Sequence, residues 1–262
     1  MSELNTRLIE LLSAADRILV FTGAGISTGS GIADYRGPQG HWKTHDPVYF
    51  QDFMNRHEAR VEYWDQKLET WPGIRDALPN SAHLAVAELE NANKVLLVTT
   101  QNIDGLHEKA GTSRRRLVEV HGTNLKVECM SCHELSEPDD HFEAFDRTHE
   151  PPVCPTCNGW LKPATISFGQ SLKDHDLTRA FTAARDADLV LALGSSLTVQ
   201  PAASIPLLAV ERGTPYVIIN RGVTDHDGLA GLTLRIDGDV VEELPPAVAS
   251  AIGSPQGCHT SN

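Results

Sequence analysis

Short runs of apolar residues recur along the chain, and each one is followed by polar or glycine-rich residues. Runs that are apolar at successive positions are typical of strands buried on both faces, as in a parallel sheet. Helical stretches separate them, so strands and helices alternate along the chain. The predicted strands are 18–21, 95–99, 117–120, 189–193, 217–219 and 232–236.

This alternation predicts an α/β fold with a Rossmann-like parallel sheet and crossover helices. Asn80 or Ser81 can cap one such helix, which we expect to run to about Asn91. In sheets of this kind, ligands bind beyond the carboxyl ends of the strands. The polar loops expected to share that edge follow Phe21, Thr99, Val120, Leu193 and Ile219.

The amino-acid composition and net charge argue against some classes of function. The chain has 262 residues, 40% of them hydrophobic, and a net charge of −13, which argues against direct binding of nucleic acid. The acidic charge either only keeps the protein in solution or also favours cationic substrates. No apolar run approaches the about 20 residues of a membrane helix, and no signal peptide is evident. We therefore expect a cytoplasmic protein that does not contact membranes.

A glycine-rich turn, 22–31, follows the first predicted strand. Its Gly23-x-Gly25 pattern would let the backbone approach a pyrophosphate, with a helix N-terminus behind it. The glycine spacing departs from the dinucleotide fingerprint, so a tight turn without a ligand is the alternative. No strand ends on an acidic residue about 20 positions later, which makes a hydride-transferring dehydrogenase less favoured.

Four of the five cysteines form two pairs, Cys129/Cys132 and Cys154/Cys157. Two C-x-x-C knuckles can offer four thiolates in a tetrahedron, the arrangement of a structural zinc site. His133 and His149 are the alternative ligands. Without a secretion signal, disulfide bonds between these cysteines are not expected.

Several motifs together resemble the sirtuin family. Gly23–Ser27 with Gly31–Gly37 is similar to the family's GAGIS…GIPDFRG, and Thr100–His107 resembles its TQNID-x-LH. Val120-His121-Gly122 matches the HG motif. The cysteine pairs, Phe168-Gly169, Gly194–Leu197 and Ile219-Asn220 follow in the family's order, so the resemblance runs from about residue 20 to 240. Residues 37–42 and 220–227 look nearest to the nuclear sirtuins of animals.

The resemblance implies an NAD-dependent protein lysine deacetylase or deacylase, which transfers the acyl group to ADP-ribose and releases nicotinamide. Its cofactors would be NAD and zinc, and its partners acetyl-lysine proteins or peptides. Transfer of ADP-ribose to proteins is the alternative activity, and the oligomeric state stays open. Tyr63 is followed by Gln66 rather than by the arginine of a Tyr-x-x-Arg pair, so removal of succinyl groups is not expected.

The resemblance also implies roles for individual residues. His121 would be the general base, because imidazole accepts protons near neutral pH. Asn102 would be the second catalytic residue, and the amides of Gly23, Ala24 and Gly25 would bind the diphosphate. The implied cofactor-binding residues are Gly23, Ala24, Gly25, Ile26, Asp34, Tyr35, Arg36, Gln101, Asn102, Ile103, Asp104, His121, Gly194, Ser195, Ser196, Asn220 and Val240. The implied substrate-binding residues are Ile166, Phe168 and Gly169.

Two positions depart from the family pattern, Ala33 in place of proline and Gln170 in place of glutamate. Asp104 also has a plainer interpretation, as a residue that caps the helix after it. The predicted organisation has a Rossmann-like NAD-binding domain, a helical or loop insertion, a zinc-binding module and a disordered tail. The Rossmann-like domain comprises residues 1–40, 80–122 and 162–252. The insertion is 41–79, the zinc-binding module 123–161 and the tail 253–262.

Overall fold

A computed structural model describes residues 3–34 and 45–253. Its helices are α1 (Glu3–Ala14), α2 (Phe50–Asn55), α3 (His57–Asp76), α4 (Ser81–Asn91), α5 (Leu106–Lys109), α6 (Asp139–Thr148), α7 (Asp174–Asp186), α8 (Ser204–Val210) and α9 (Val240–Gly253). Its strands are β1 (Ile18–Thr22), β2 (Val95–Thr100), β3 (Leu117–Glu119), β4 (Gly122–Cys129), β5 (Leu135–Ser136), β6 (Leu161–Thr165), β7 (Leu189–Leu193), β8 (Tyr216–Ile219) and β9 (Leu234–Ile236).

The larger sheet has six strands in the order β3-β2-β1-β7-β8-β9, and all neighbouring pairs are parallel. This confirms the predicted parallel α/β fold class. One face is covered by an apolar core that includes residues of α1, α4 and α9, and the opposite face by residues of α7 and α8. Because both faces are covered, β1 and β7 are buried along their whole length.

The smaller sheet has three antiparallel strands in the order β5-β4-β6. β4 begins at Gly122, one residue after His121, and Gly122 pairs with Thr165 of β6. Residues 162–165, which the sequence analysis assigned to the Rossmann-like part, therefore pair within the smaller sheet. The reason is that β6 returns antiparallel to β4 before the chain re-enters the parallel sheet at β7.

The smaller sheet shares one apolar core with α2, α3 and α6. Trp64 of α3 contacts Phe142 of α6 with ring centroids 5.3 Å apart, and Trp71 stacks on the same ring at 4.9 Å. The indole nitrogen of Trp64 also donates a hydrogen bond of 3.2 Å to the carbonyl of Leu161 in β6. The helical insertion and the cysteine-bearing segment are thus packed as one unit.

Within the described residues, no helix is both long and apolar enough to span a membrane.

Asn80 ties the start of α4 to the turn after β1. Its Oδ1 accepts hydrogen bonds from the amides of Ala82 (3.0 Å) and His83 (3.4 Å), which caps the helix. Its Nδ2 donates to the carbonyl of Ile26 at 2.8 Å and to Ser30 Oγ at 3.0 Å. One side chain therefore satisfies two helix amides and holds the glycine-rich turn in place.

Asn80→Ala should lower the free energy of unfolding by about 1–2 kcal/mol, because both the cap and the contact with the turn are lost. Asn80→Asp is the matched variant, since it keeps the acceptor for the cap and loses the donor to the turn. In urea unfolding the wild type should be the most stable of the three proteins, Asn80→Asp the next and Asn80→Ala the least stable. Equal midpoints for all three proteins would contradict this account.

Candidate active site and metal centre

Two glycine-containing turns meet at the carboxyl ends of β1 and β7. The amide of Gly23 donates to the carbonyl of Leu193 (3.0 Å) and that of Gly25 to the carbonyl of Gly194 (2.8 Å). A Cβ on Gly25 would lie 2.8 Å from the Gly194 Cα, and one on Gly194 would lie 2.3 Å from the backbone nitrogen of Ile26. Gly194 also has a φ of +60°, in the left-handed region. Only glycine allows this approach of backbone to backbone.

These contacts correct part of the prediction for the turn. The amides of Gly23 and Gly25 already donate to the carbonyls of Leu193, the last residue of β7, and Gly194, and so are not open to a diphosphate. Ala24 is the remaining member of the predicted trio, and among the described residues its amide has no partner. Among the described residues, two single 3₁₀ turns, Ala24–Ile26 and Thr28–Ser30, follow β1 in place of the expected helix, and Gly31 ends the second of them in a left-handed conformation.

Gln101 joins the loop after β2 to the loop after β7. Its amide nitrogen donates to the carbonyl of Thr22 at 3.0 Å, and its side-chain Nε2 donates to Ser195 Oγ at 2.8 Å. Ser195 Oγ in turn accepts from the amide of Leu197 at 3.2 Å. Three of the predicted loops are therefore linked by direct hydrogen bonds.

Asn102 and Asp104 converge on Ser27, a residue that the sequence analysis did not select. Asn102 Nδ2 donates to Ser27 Oγ (3.0 Å) and to the carbonyl of Gly23 (3.1 Å), while the Ser27 hydroxyl donates to Asp104 Oδ2 (2.7 Å). Asp104 Oδ1 accepts from the amide of Leu106 at 2.9 Å, so the helix-capping interpretation holds for this oxygen. Burial raises the pKa of the Asp104 carboxyl. The signal that could have found Ser27 is its position in the Gly23–Ser27 motif.

Two buried histidines lie beneath this network. His83 Nε2 is 3.5 Å from Ser27 Oγ, and His107 Nε2 is 3.0 Å from Thr22 Oγ1, which donates to Thr100 Oγ1. The two imidazole rings contact edge to face at 5.0 Å. Burial lowers the pKa of His83 to about 4 and, together with the charge of His83, that of His107 to about 3. Both rings are therefore neutral at pH 7 and serve as packed hydrogen-bonding groups.

His121 lies between β3 and β4, at the edge where the larger sheet meets the smaller one. Its Nδ1 is 3.1 Å from the carbonyl oxygen of Gln101. Because a carbonyl can only accept, Nδ1 carries the proton of the neutral ring and Nε2 carries the lone pair. The carbonyl of His121 accepts from the amide of Ile166 at 2.7 Å, so the ring and the segment after β6 are held in register.

The predicted substrate-binding segment begins at Ile166. The carbonyl of Phe168 accepts from the amide of Phe50 at 2.9 Å, and Gly169 adopts a left-handed φ of +79°. Gln170 Oε1 accepts a hydrogen bond of 3.1 Å from the backbone amide of Ser167. A glutamate oxygen would accept the same amide, so the departure at position 170 keeps this turn intact.

The other predicted cofactor residues lie on several segments of the chain. Asn220 follows β8, Val240 begins α9, and the carbonyl of Ser196 accepts from the amide of Asp225 at 3.1 Å, all on one side of the sheet edge. The structure brings these residues to the same edge as the glycine turns. Ile26 is fully buried and Asp34 is half-buried. Tyr35 and Arg36 lie outside the described residues.

The four paired cysteines form one cluster at the end of β4. Their sulfur atoms all lie within 4.8 Å of one another, with Cys129 Sγ 3.5 Å from Cys157 Sγ and Cys132 Sγ 3.7 Å from Cys154 Sγ. Tetrahedral zinc with Zn–S bonds of about 2.3 Å requires sulfur atoms about 3.8 Å apart. The cluster therefore fits a closed zinc site.

The two alternative histidine ligands point to other partners. His133 Nδ1 lies 3.0 Å from Glu128 Oε1, and His149 Nδ1 lies 3.5 Å from Asp65 Oδ1. The His149 ring also stacks on Phe145. Neither belongs to the metal-binding group of the described residues, so the donor set is four thiolates.

Comparison with known proteins identifies the family. A model of the Sir2 family matches residues 23–201. The chain belongs to the Sir2 family, the sirtuins. An NAD-dependent protein deacetylase of Rhodopseudomonas palustris is 42% identical to this sirtuin over 241 residues, which cover 92% of this chain and 94% of the relative. A deacetylase of Sulfurisphaera tokodaii is 39% identical over 255 residues, which cover 97% of each protein.

Solved structures agree with this assignment. A Sir2 structure with a p53 peptide and NAD+ superposes with a TM-score of 0.84 at 33% identity, covering 94% of this sirtuin and 98% of that chain. Similar deacetylases come mostly from bacteria and archaea, so the expected closeness to the nuclear sirtuins of animals is not supported.

The stability of this sirtuin should depend on pH through His83. A ring whose pKa is lowered by folding binds fewer protons in the folded state, so stability is complete above the unfolded pKa of about 6.5 and declines as the pH falls towards about 4. His83→Asn removes this titration, and the pH dependence of its unfolding free energy should be shallower by up to about 1.4 kcal/mol per pH unit. Urea unfolding between pH 7 and 5 measures the difference. The exposed His175→Asn is the control, and equal slopes for the two variants would refute the assignment.

Cys132→Ser should remove the metal from this sirtuin and destabilise the smaller sheet, since binding and folding of such modules are coupled. Elemental analysis should find about one zinc per chain in the wild type and close to none in the variant. Cys258→Ser, the fifth cysteine, is the control and should retain the metal. A Cys132 variant with full zinc content and unchanged thermal unfolding would rule out the four-thiolate site.

Proposed function

We propose that this sirtuin is an NAD-dependent protein lysine deacetylase, which transfers the acyl group to ADP-ribose and releases nicotinamide. One observation carries the proposal. The carbonyl of Gln101 holds His121 Nδ1 as a donor at 3.1 Å, so Nε2 is the ring nitrogen with the lone pair, and Gln101 itself links the loops that bear Asn102 and Ser195. A neutral imidazole with this tautomer is suited to accept a proton from a hydroxyl group. The two deacetylases similar to this chain support the same reaction class.

The loops after β1, β7 and β8 fit a dinucleotide. The side chains missing at Gly23, Gly25 and Gly194 let two backbone turns close on each other, and the amide of Ala24 remains as a donor for a phosphate oxygen. Asn220 donates through Nδ2 to the carbonyls of Arg221 and Gly222. Its Oδ1 is then the atom that would accept a ribose hydroxyl. NAD supplies a ribose–nicotinamide bond whose cleavage activates the ribose.

The other residues of the network position groups around that bond. Asn102 is held by Gly23 and Ser27 and would line the part of the site that takes the nicotinamide and its ribose. Asp104 uses one lone pair of each oxygen for Leu106 and Ser27, and the second lone pairs could accept a carboxamide N–H. These contacts are made by residues of the chain with one another, and preorganised contacts lower the barrier that positioning must overcome.

The segment from Ile166 to Gly169 would hold the acyl-lysine peptide through its backbone, in the manner of an added strand. Its register relative to His121 is set by the bond between Ile166 and the His121 carbonyl. Gln66 stands where a Tyr-x-x-Arg pair would have its arginine, and its Nε2 donates to the carbonyl of Asp46 at 3.0 Å, so acetyl rather than succinyl is the expected acyl group. Cytoplasmic location and the absence of direct nucleic-acid binding stay predictions from composition.

His121→Ala should lower the deacetylation rate by about 10²–10⁴-fold, because the general base is lost. The measurement is mass spectrometry of an acetyl-lysine peptide incubated with NAD, following free lysine peptide, nicotinamide and O-acetyl-ADP-ribose. His175→Ala, an exposed histidine on α7, is the matched control and should keep full activity. Full activity in the His121 variant would refute the proposed role. A peptide that gains ADP-ribose while keeping its acetyl group would instead support ADP-ribosyl transfer.

A further inference from the structure

Arg235 of β9 organises the loop that follows β8. Its guanidinium donates to the carbonyl of Asn220 at 3.0 Å and also to the carbonyls of Gly222 and Ile236. Its Nε donates to Asp227 Oδ1 at 2.8 Å, and four-fifths of the side chain is removed from solvent. One side chain from the last strand thus holds both the start and the end of the segment 220–227.

Asp227 completes the arrangement from the other end of the segment. Its two oxygens accept the hydroxyl and the amide of Thr224, at 2.7 Å and 3.0 Å. The Thr224 hydroxyl oxygen accepts the amide of His226, whose ring lies 3.0 Å from the buried hydroxyl of Tyr216 in β8. The segment is therefore closed on itself and anchored to the strand beneath it.

The same segment reaches both ligand-binding features on this side of the sheet. Asn220, at its start, is the residue proposed to accept a ribose hydroxyl. The amide of Asp225 donates to the carbonyl of Ser196 at 3.1 Å, in the turn whose glycine packs against the Gly23–Gly25 turn. A shift of the segment would therefore move the ribose contact and the turn after β7 together.

We infer that Arg235, paired with Asp227, is a positioning residue that sets the adenosine half of the dinucleotide site without touching the ligand. This inference rests on the proposed NAD dependence. The planar fork of arginine can serve three carbonyls and a carboxylate at once, whereas the single ammonium of lysine cannot reproduce that geometry. Arg235 therefore affects dinucleotide affinity, and it leaves the acyl-lysine side and His121 unchanged.

Arg235→Lys is the test, with Arg212→Lys as its control because Arg212 is exposed just after the end of α8. Loss of the fork should raise KM for NAD about tenfold, the effect of one or two charge-assisted hydrogen bonds. The rate at saturating NAD and KM for the acetyl peptide should stay within about twofold of wild type, since neither His121 nor the peptide segment is displaced. Calorimetric titration with ADP-ribose should give a dissociation constant raised by the same factor, independently of turnover. Arg212→Lys should match the wild type in every measurement.

Asp227→Asn gives a second approach in case Arg235→Lys folds poorly. It should also weaken ADP-ribose binding, and the double variant should be little weaker than either single variant, because both residues act by holding the same segment, 220–227. Unchanged ADP-ribose affinity in two folded single variants would overturn the inference, as would equal losses in NAD and peptide KM. If the wild type itself neither binds ADP-ribose nor releases nicotinamide, the proposed function fails instead.

Discussion

The fold of the site depends on the contact between two stretches of bare backbone, the turn at Gly23–Gly25 and the turn at Gly194. Their hydrogen bonds close the gap between β1 and β7 at the carboxyl edge of the larger sheet. Any Cβ at these positions would push the turns apart, and the carbonyl of Gly23 would leave Asn102 Nδ2. The network from Asn102 through Ser27 to Asp104 is built on that carbonyl. The arrangement of polar groups in the site is thus decided by residues that have no side chains.

Much of the fold could be predicted because a strand buried on both faces appears in the sequence as a run of consecutive apolar residues. β1, β2 and β7 are apolar runs that must lie inside a covered parallel sheet, and Asn80 has the residue type that a helix cap requires. The metal ligands could also be predicted, because the spacing of the two cysteine pairs indicates four thiolates at one site. In each of these cases the information is local in the sequence.

Features that depend on distant residues could not be predicted in the same way. The amides of Gly23 and Gly25 were assigned to a phosphate, but they are used by carbonyls about 170 residues further along the chain. The role of Ser27 cannot be predicted from its own position, because it depends on hydrogen bonds with Asn102 and Asp104, which are distant in the sequence. The pairing of β6 with β4 and the shared core of α3 and α6 likewise depend on how separate segments pack.

The position of Gly122 links the thiolate cluster to the imidazole at 121. Gly122 begins the strand that ends at Cys129, and its φ of +72° brings its Cα so near the Ala164 carbonyl that an added Cβ would lie 2.1 Å from that oxygen. β4 runs from Gly122 to Cys129 without a break in the chain, and its register with β6 shifts between Gly122 and Val127. The same strand therefore ends on a cysteine of the thiolate cluster and begins next to the imidazole at 121. Loss of the metal would thus loosen the far end of the strand that begins beside that ring.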